Sequence, residues 1–387
     1  MGCYRETLAF LESIGASEHV RAGHELDVTV IDERGRRSAL HCPALPPPWH
    51  LIAGLVEWEA LSFRDCLSVL AIRRPIRLEQ KRARGATCAV SASPGETVEN
   101  WLIRNGQSER LREMLWRPLA LAALNQSPSV AAAPPFVRVL AEMFGNRPSD
   151  SALVFPARPL SLMYAEPARA FIEARGGEVR TGARARVSLR GGGAEVEVQG
   201  QRLSAGAVVV AVPWFALPDV LVGDLGALQR VLQAARATGA SPIVTVNLWL
   251  DGPVLDVPFV GLPGRTFQWV FDKRQLWAEP GSHLSLVSSG ADPAVTVSNA
   301  DLVEQATSEL FDALPELRGA RVVGGTVVRE RRATFSLAPG EPPRPGTMTP
   351  VDGLLLAGDW IDTGLPGTIE SAVVSGHAAA RAALGQA

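Results

Sequence analysis

The segment LLLAGDWIDTGLPGTIESAVVSGHAAARAAL, residues 354–384, leaves little freedom in how it folds. Leu354–Ala357 is an apolar run with the length of a buried strand, and its carboxyl end delivers Gly358 and Asp359. Gly364, Pro366 and Gly367 then shape a tight bend, and Thr368 opens a helix. In open α/β sheets ligands bind at the carboxyl edge of the strands. A glycine there lets the backbone approach a ligand closely, and Asp359 can accept hydrogen bonds from ribose or ribityl hydroxyls. The amide groups and positive dipole end of the helix favour an electron-rich group at the bend. On local physics alone, a plain strand, loop and helix accounts for the same residues.

The rest of the composition narrows the class. Of 387 residues, 47% are hydrophobic and 20% charged, which fits a globular chain able to bury a large core. The formal net charge of −2 gives no basis for nucleic-acid binding, and no nucleic-acid partner is expected. Cys3, Cys42, Cys66 and Cys88 form no C-x-x-C pair and follow no secretory leader, so reduced thiols and a cytoplasmic setting are expected. The run HCPALPPPWH (41–50) carries His41, Cys42 and His50, but it reads more simply as a proline-stiffened loop than as a zinc site, and no metal is expected. The longest uncharged run, LSAGAVVVAVPWFALP, is broken by Pro213 and Pro218 and reads as a buried strand and its turn rather than a membrane span.

Along the chain, residues 4–14 have helical spacing closed by Gly15. LDVTVI (26–31) alternates as a strand, and ERGRRSAL suggests a turn and a partner strand. Residues 43–72 are Pro-rich and then helical. RRPIRLEQKRARG, with six basic residues and one acidic between Arg73 and Gly85, reads as a solvated face or flexible loop. Beside apolar helices it also suits contact with anionic lipid, the weaker reading. Residues 97–125 read as two helices separated at Asn105–Gly106, with Ser108 as the second N-cap. Their apolar residues, among them Trp101, Trp116 and Leu119, fit a plain core or a hydrocarbon-binding wall. A helix ending at Gly176–Gly177 leads into short strands, with Gly191–Gly193 as a hairpin turn. AVVVAVP is expected in the middle of a parallel sheet. PIVTVNLWLD, TFQWVFD and HLSLVSSG read as strands of a second sheet, DLVEQATSELFDAL as an amphipathic helix, and ARVVGGTVVRERRATFS as strand-like. Segments of the two sheets alternate, which implies two domains that the chain crosses more than once.

The closing segment resembles the C-terminal motif of the FAD-dependent amine oxidase and desaturase superfamily, where A-G-D or A-G-E after a strand precedes a flavin-holding helix. GGEVRTGARARV followed by AGAVVVAVP resembles a second motif of that superfamily. Within it, the squalene-associated group of hydroxysqualene dehydroxylases is similar in GCYRETLAFL, PALPPPWH, SERLREMLWRPLALAALN, SPIVTVNLWLD, FQWVFD, RERRATF and AGDWIDTGLPGTIESAVVSG, in order along nearly the whole chain.

The resemblance implies an α/β, or mixed α+β, fold in which a Rossmann-like FAD/NAD(P)-binding domain is interleaved with a substrate domain of mixed sheet plus helices. The expected division is 1–165 as a mostly helical substrate or cap region and 166–213 as an FAD-domain segment. Residues 214–345 would form the substrate domain and 346–387 the C-terminal FAD-binding segment. Gly358 and Asp359 would contact the diphosphate and ribityl chain of FAD. Gly367, Thr368 and Ile369 would lie against the isoalloxazine, and Ala185 would hold the adenine through its backbone, where the family more often has valine. In the family G-C-Y-R-E-T follows a βαβ unit with a G-x-G-x-x-G fingerprint, which this sequence does not contain. The chain is therefore expected to begin after the cofactor cradle, to be N-terminally truncated and to bind FAD weakly or not at all.

The implied reaction is reductive loss of a hydroxyl from a C30 isoprenoid, giving squalene. Asp362 and Glu370 are the carboxyls available near the bend, either of which has an equally good structural explanation, and the catalytic residue is unknown. Implied partners are the isoprenoid substrate, other squalene-pathway enzymes and, peripherally, the inner face of the cell membrane. The alternatives are carotenoid desaturation, amine oxidation, or a flavin-free remnant that binds lipid. Tyr4 and Tyr164 are the only tyrosines, which disfavours the aromatic cage of an amine oxidase.

Overall fold

The alternation in SPIVTVNLWLD turns Val244, Val246, Leu248 and Leu250 to one side of a strand, Ala240–Leu250, and buries all four. A computed structural model describes residues 1–190, 193–252, 255–279 and 281–385 of the chain. Two units emerge, each assembled from three stretches. The first comprises Met1–Cys3, Glu18–Met163 and Ala240–Pro339; the second comprises Tyr4–Ser17, Tyr164–Gly239 and Gly340–Ala387.

The first unit is built on a seven-stranded sheet. Its strands run, edge to edge, Val322–Phe335, Ala240–Leu250, Ser282–Ser289, Trp269–Asp272, Phe259–Gly261, Leu26–Ile31 and Arg37–Cys42. All neighbours pair antiparallel except Phe259–Gly261 with Leu26–Ile31, which meet in parallel at Gly261 and Val30. The three strands expected of a second sheet therefore lie together, joined by the hairpin of residues 26–42. Helix Asn299–Ala313 covers one face, packing Leu302, Ala306 and Leu310 against Val244, Val246, Leu284 and Leu286. The approach is close at Gly325, where an added Cβ would lie 2.9 Å from a Val303 methyl.

Helices line other parts of this unit. Val98–Arg104 stops at Asn105–Gly106, with Gly106 at φ +67°, and Ser108 accepts the Leu111 amide as the next N-cap. The expected second helix is interrupted by a π-turn, Arg112–Trp116, before it continues as Arg117–Leu124. Pro118 supplies the reason: it cannot donate to the carbonyl four residues back, and its ring crowds that carbonyl, so the turn widens. The basic run is a helix, Arg73–Ala83, not a flexible loop. Arginine is a strong helix former, Ile76 is buried, and Gln80 donates to the Ala141 and Phe144 carbonyls at 3.2 and 2.7 Å.

The second unit holds a four-stranded sheet, ordered Gln201–Leu203, Gly193–Val198, Ala185–Arg190 and Leu221–Gly223. The hairpin expected at Gly191–Gly193 falls on residues 191 and 192, outside those described, although the strands on either side of it pair. Separately, Val208–Val210 and Leu354–Leu356 form a parallel pair. AVVVAVP is thus parallel as expected, but among the described residues it has one neighbour rather than two, and Val209 is 43% exposed. No described helix is long and apolar enough to cross a membrane.

Two outcomes follow for the first unit. Leu248 is wholly buried in its core, so Leu248→Ala should cost about 2–5 kcal/mol in a urea titration of the full chain. Asp32, in the turn of the 26–42 hairpin, accepts from the Arg34 and Arg36 amides at 3.0 Å each and from the Arg36 and Arg110 guanidinium groups at 2.8 and 3.1 Å. Burial pushes its carboxyl upward, but these hydrogen bonds outweigh burial and hold it at about 2, below the usual 3.8. The resulting stability is complete above pH 3.8 and is lost as pH falls through 2. Asp32→Asn should remove at most about 2 kcal/mol at neutral pH and flatten the acid limb of a stability–pH curve.

Candidate functional site

In the second unit, strand Leu354–Leu356 ends at Ala357 and the chain turns at Gly358, whose φ of +122° only glycine adopts without strain. The nearest atom to an added Cβ there is the Val212 carbonyl oxygen at 3.9 Å, so the backbone faces open space. Helix Ile369–Ala383 stands behind the turn with Thr368 as N-cap, its hydroxyl accepting the Ser371 amide at 3.2 Å. The amides of Ile369 and Glu370 then have no intrahelical partner.

Two buried serines one helical turn apart bind the strand end to this helix. Ser375 Oγ accepts the Gly358 amide at 2.9 Å and lies 2.8 Å from the Gly358 carbonyl, to which it donates. Ser371 Oγ donates to the Asp359 carbonyl at 3.0 Å and lies 2.7 Å from Thr363 Oγ1. Arg344 straps the bend from outside, donating to the Leu365 carbonyl at 2.8 Å and approaching Asp362 Oδ1 at 3.3 Å. Asp362 Oδ1 in turn accepts the Gly364 amide at 3.2 Å. Burial pushes the Asp359 carboxyl above its ordinary value, against the pull of the Trp360 and Asp359 amides and of the Arg344 charge. Burial likewise lowers Arg344, against Asp362 and Asp359.

The fold thus brings Gly358, Asp359, Gly367, Thr368 and Ile369 into one turn and helix start. Ala185 opens the Ala185–Arg190 strand of the four-stranded sheet, is exposed, and has no hydrogen bond to the bend among the described residues. Of the two readings of Glu370, its contacts support the structural one. It is buried and accepts from the amides of Glu6 and Thr7, at 3.1 and 2.9 Å, and from the Thr7 hydroxyl at 2.6 Å. A carboxylate from the closing helix therefore caps helix Arg5–Ser13, and Glu6 completes the contact through His377 Nδ1 at 2.7 Å. Sequence reasoning missed Arg344, Ser371, Ser375 and Thr7. The serines carried a signal in their i, i+4 spacing on the helix behind the glycine turn; Arg344 and Thr7 carried none.

The residues fit a flavin dinucleotide on two observations. The indole Nε1 of Trp360, next to Asp359, is buried without a hydrogen-bond partner. The helix start leaves the amides of Ile369 and Glu370, and the Gly358 turn leaves open space, where a polyanionic, hydroxyl-bearing ligand needs donors and room. No group of three His, Cys, Asp or Glu side chains comes together to hold a metal among the described residues.

A second feature lies wholly in the first unit: a cavity of about 970 Å³. The sheet contributes Val28, Val30, Trp269 and Phe271, and the helices contribute Ile76, Met114 and Leu119, the last two from in and beside the π-turn. Cys42 also lines it, its thiol pushed up to about 12 by burial and by nearby Asp27, so it stays neutral and adds to the apolar wall. Among the described residues none of the four cysteines is in a disulfide.

The chain matches the flavin containing amine oxidoreductase family over residues 1–384. It is 30% identical to a hydroxysqualene dehydroxylase of Sinorhizobium fredii over 76% of this chain and 67% of that one. It is 33% identical to a hydroxysqualene dehydroxylase of Rhodopseudomonas palustris over 70% of this chain and 62% of that one. It therefore spans about two thirds of the length of these relatives. A probable zeta-carotene desaturase of Synechococcus elongatus is 24% identical over 78% of this chain and 69% of its own. Among solved structures, an oxidoreductase from Methanosarcina mazei superposes with a TM-score of 0.70 at 15% identity, over 97% of this chain and 85% of that one. Cyclohexylamine oxidase from Brevibacterium oxydans gives 0.67 at 14% identity, over 99% and 86%. With its mixed α/β units and its glycine turn before a capped helix, the chain belongs to the flavin containing amine oxidoreductase family, FAD-dependent oxidoreductases.

Proposed function

We propose that this chain carries out the reductive dehydroxylation of a hydroxylated C30 isoprenoid to squalene, as the names of its hydroxysqualene dehydroxylase relatives suggest. The observation that carries the reading is the cavity. At about 970 Å³ it stands at the upper end of ligand cavities, roughly 300–1,000 Å³, and its walls offer a hydrocarbon far more apolar surface than polar anchors.

Reduced flavin, when bound, supplies the hydride that replaces the departing hydroxyl at an allylic carbon. The chain's own share is binding, orientation and exclusion of water. Gly358 and Asp359 would hold the diphosphate and ribityl chain, and Gly367, Thr368 and Ile369 the isoalloxazine. Ala185 would hold the adenine. Ser371, Ser375 and Arg344 keep the turn in one geometry, as a preorganised site requires. Leu55, Ile72 and Phe259 help close the cavity wall against water. Glu370 is committed to capping and is not assigned the acid role; the group that assists departure of water is unassigned.

The deciding experiment incubates the chain, supplied with FAD and dithionite, with hydroxysqualene and analyses the extract by gas chromatography and mass spectrometry. Squalene is the expected product. Absence of squalene while flavin quenching shows FAD bound overturns the reading, and desaturated products from phytoene under oxidising conditions assign the chain to the desaturases instead. Asp359→Ala should weaken FAD roughly tenfold or more relative to the unaltered chain, read by quenching of flavin fluorescence. Glu370→Ala should destabilise the second unit by about 1–3 kcal/mol by orphaning the amides of Glu6 and Thr7, and Glu370→Gln should restore part of that loss, both read in urea.

A further inference from the structure

Between residues 49 and 70 the first unit leaves five large apolar side chains in solvent. Trp49 is 62% exposed, Val56 55%, Phe63 69%, Leu67 49% and Leu70 49%. Phe63, Leu67 and Leu70 stand at i, i+4 and i+7 through helix Phe63–Val69 and the turn that follows, so they form one stripe. The inward residues of the same region, such as Leu55 and Trp58, are buried, which means the outward set is a second apolar face rather than a loosely packed core.

Immediately after this stripe comes the basic helix Arg73–Ala83. Arg73, Arg77, Lys81 and Arg84 recur every three or four residues along one side and are all exposed. None of them forms an ion pair among the described residues, whereas arginines elsewhere in the unit, such as Arg104 with Glu96 and Arg112 with Glu99, do. The one acid of the helix, Glu79, lies off this line, where the Ser91 hydroxyl donates to it. An apolar stripe beside a line of unpaired cations is complementary to a layer with anionic headgroups over hydrocarbon.

The cavity joins the two features. Trp49, Leu70, Arg73 and Arg77 line it and are also exposed, so they stand at its mouth. We infer that this face docks on an anionic lipid bilayer, with Trp49, Phe63, Leu67 and Leu70 entering the acyl boundary and the arginine line on the headgroups. The cavity mouth then opens onto the membrane, and an insoluble hydrocarbon passes between bilayer and protein without crossing water. The docking stands on the first unit's surface alone, and only the passage of a hydrocarbon rests on the function proposed above.

The test is co-sedimentation of the full chain with vesicles of phosphatidylcholine alone or mixed with phosphatidylglycerol. Binding to the mixed vesicles is expected to be roughly tenfold or more tighter than to phosphatidylcholine, and to fall steeply as salt is raised. Arg73→Gln/Arg77→Gln/Lys81→Gln/Arg84→Gln should abolish the preference for the anionic vesicles. Phe63→Ser/Leu67→Ser should weaken binding to both compositions, and circular dichroism should show both variants folded. Failure of the parent chain to sediment with anionic vesicles overturns the inference, as does equal binding by the parent and the arginine variant. A dimer in solution that Phe63→Ser/Leu67→Ser converts to monomer, without vesicle binding by the parent, assigns the face to a second copy instead. Vesicle binding without squalene formation leaves this inference standing while removing the proposed reaction.

Discussion

The carboxylate of Glu370 serves two helices at once, and the glycine turn at residue 358 leans on the helix it anchors. It sits in the first turn of the closing helix, where its charge favours the helix's own positive end, and it accepts the first amides of helix Arg5–Ser13. Two positive helix ends are thereby brought to one buried anion. The helix start is held from below by this contact, and Ser371 and Ser375 tie the Gly358 turn to the same helix. A site whose donors must meet a large anionic ligand benefits from that rigidity, because the cost of ordering it is met during folding.

The two faces of the seven-stranded sheet divide labour by the two-residue period of its strands. Leu284 and Leu286 face the helix-covered core, and Val287 and Ser289, one step out of phase, face the cavity. The same backbone that stabilises the first unit therefore supplies a wall of its cavity. Loss of register in Ser282–Ser289 would damage both together, since a one-residue slip exchanges the faces.

Much of this was legible because the relevant signals are local. Thr368 and Ser108 cap helices as their side chains dictate, Gly106 and Gly358 take positive φ, and the alternation in 240–250 and 282–289 declares strands. What escaped is non-local or depends on a neighbour. Nothing in LDVTVI indicates that Val30 pairs with Gly261, and nothing in EPPRPG indicates that Arg344 reaches the carbonyl of Leu365. Of the two readings of the basic run, the solvated face agrees with its exposed charges, and the flexible loop fails because Ile76 and Gln80 hold the segment as a helix. The π-turn had a readable cause in Pro118, but a proline in the first turn of a helix is ordinarily unremarked.

The cap that Glu370 gives to helix Arg5–Ser13 spans 364 positions of sequence. During synthesis the helix emerges early and stays without its anion until residue 370 has left the ribosome, so a nine-residue segment, marginal by itself, has to wait. The second unit can close only after the first unit's central strands have been made, which sets an order of assembly and leaves the early helix exposed to chaperones or proteases in the interval.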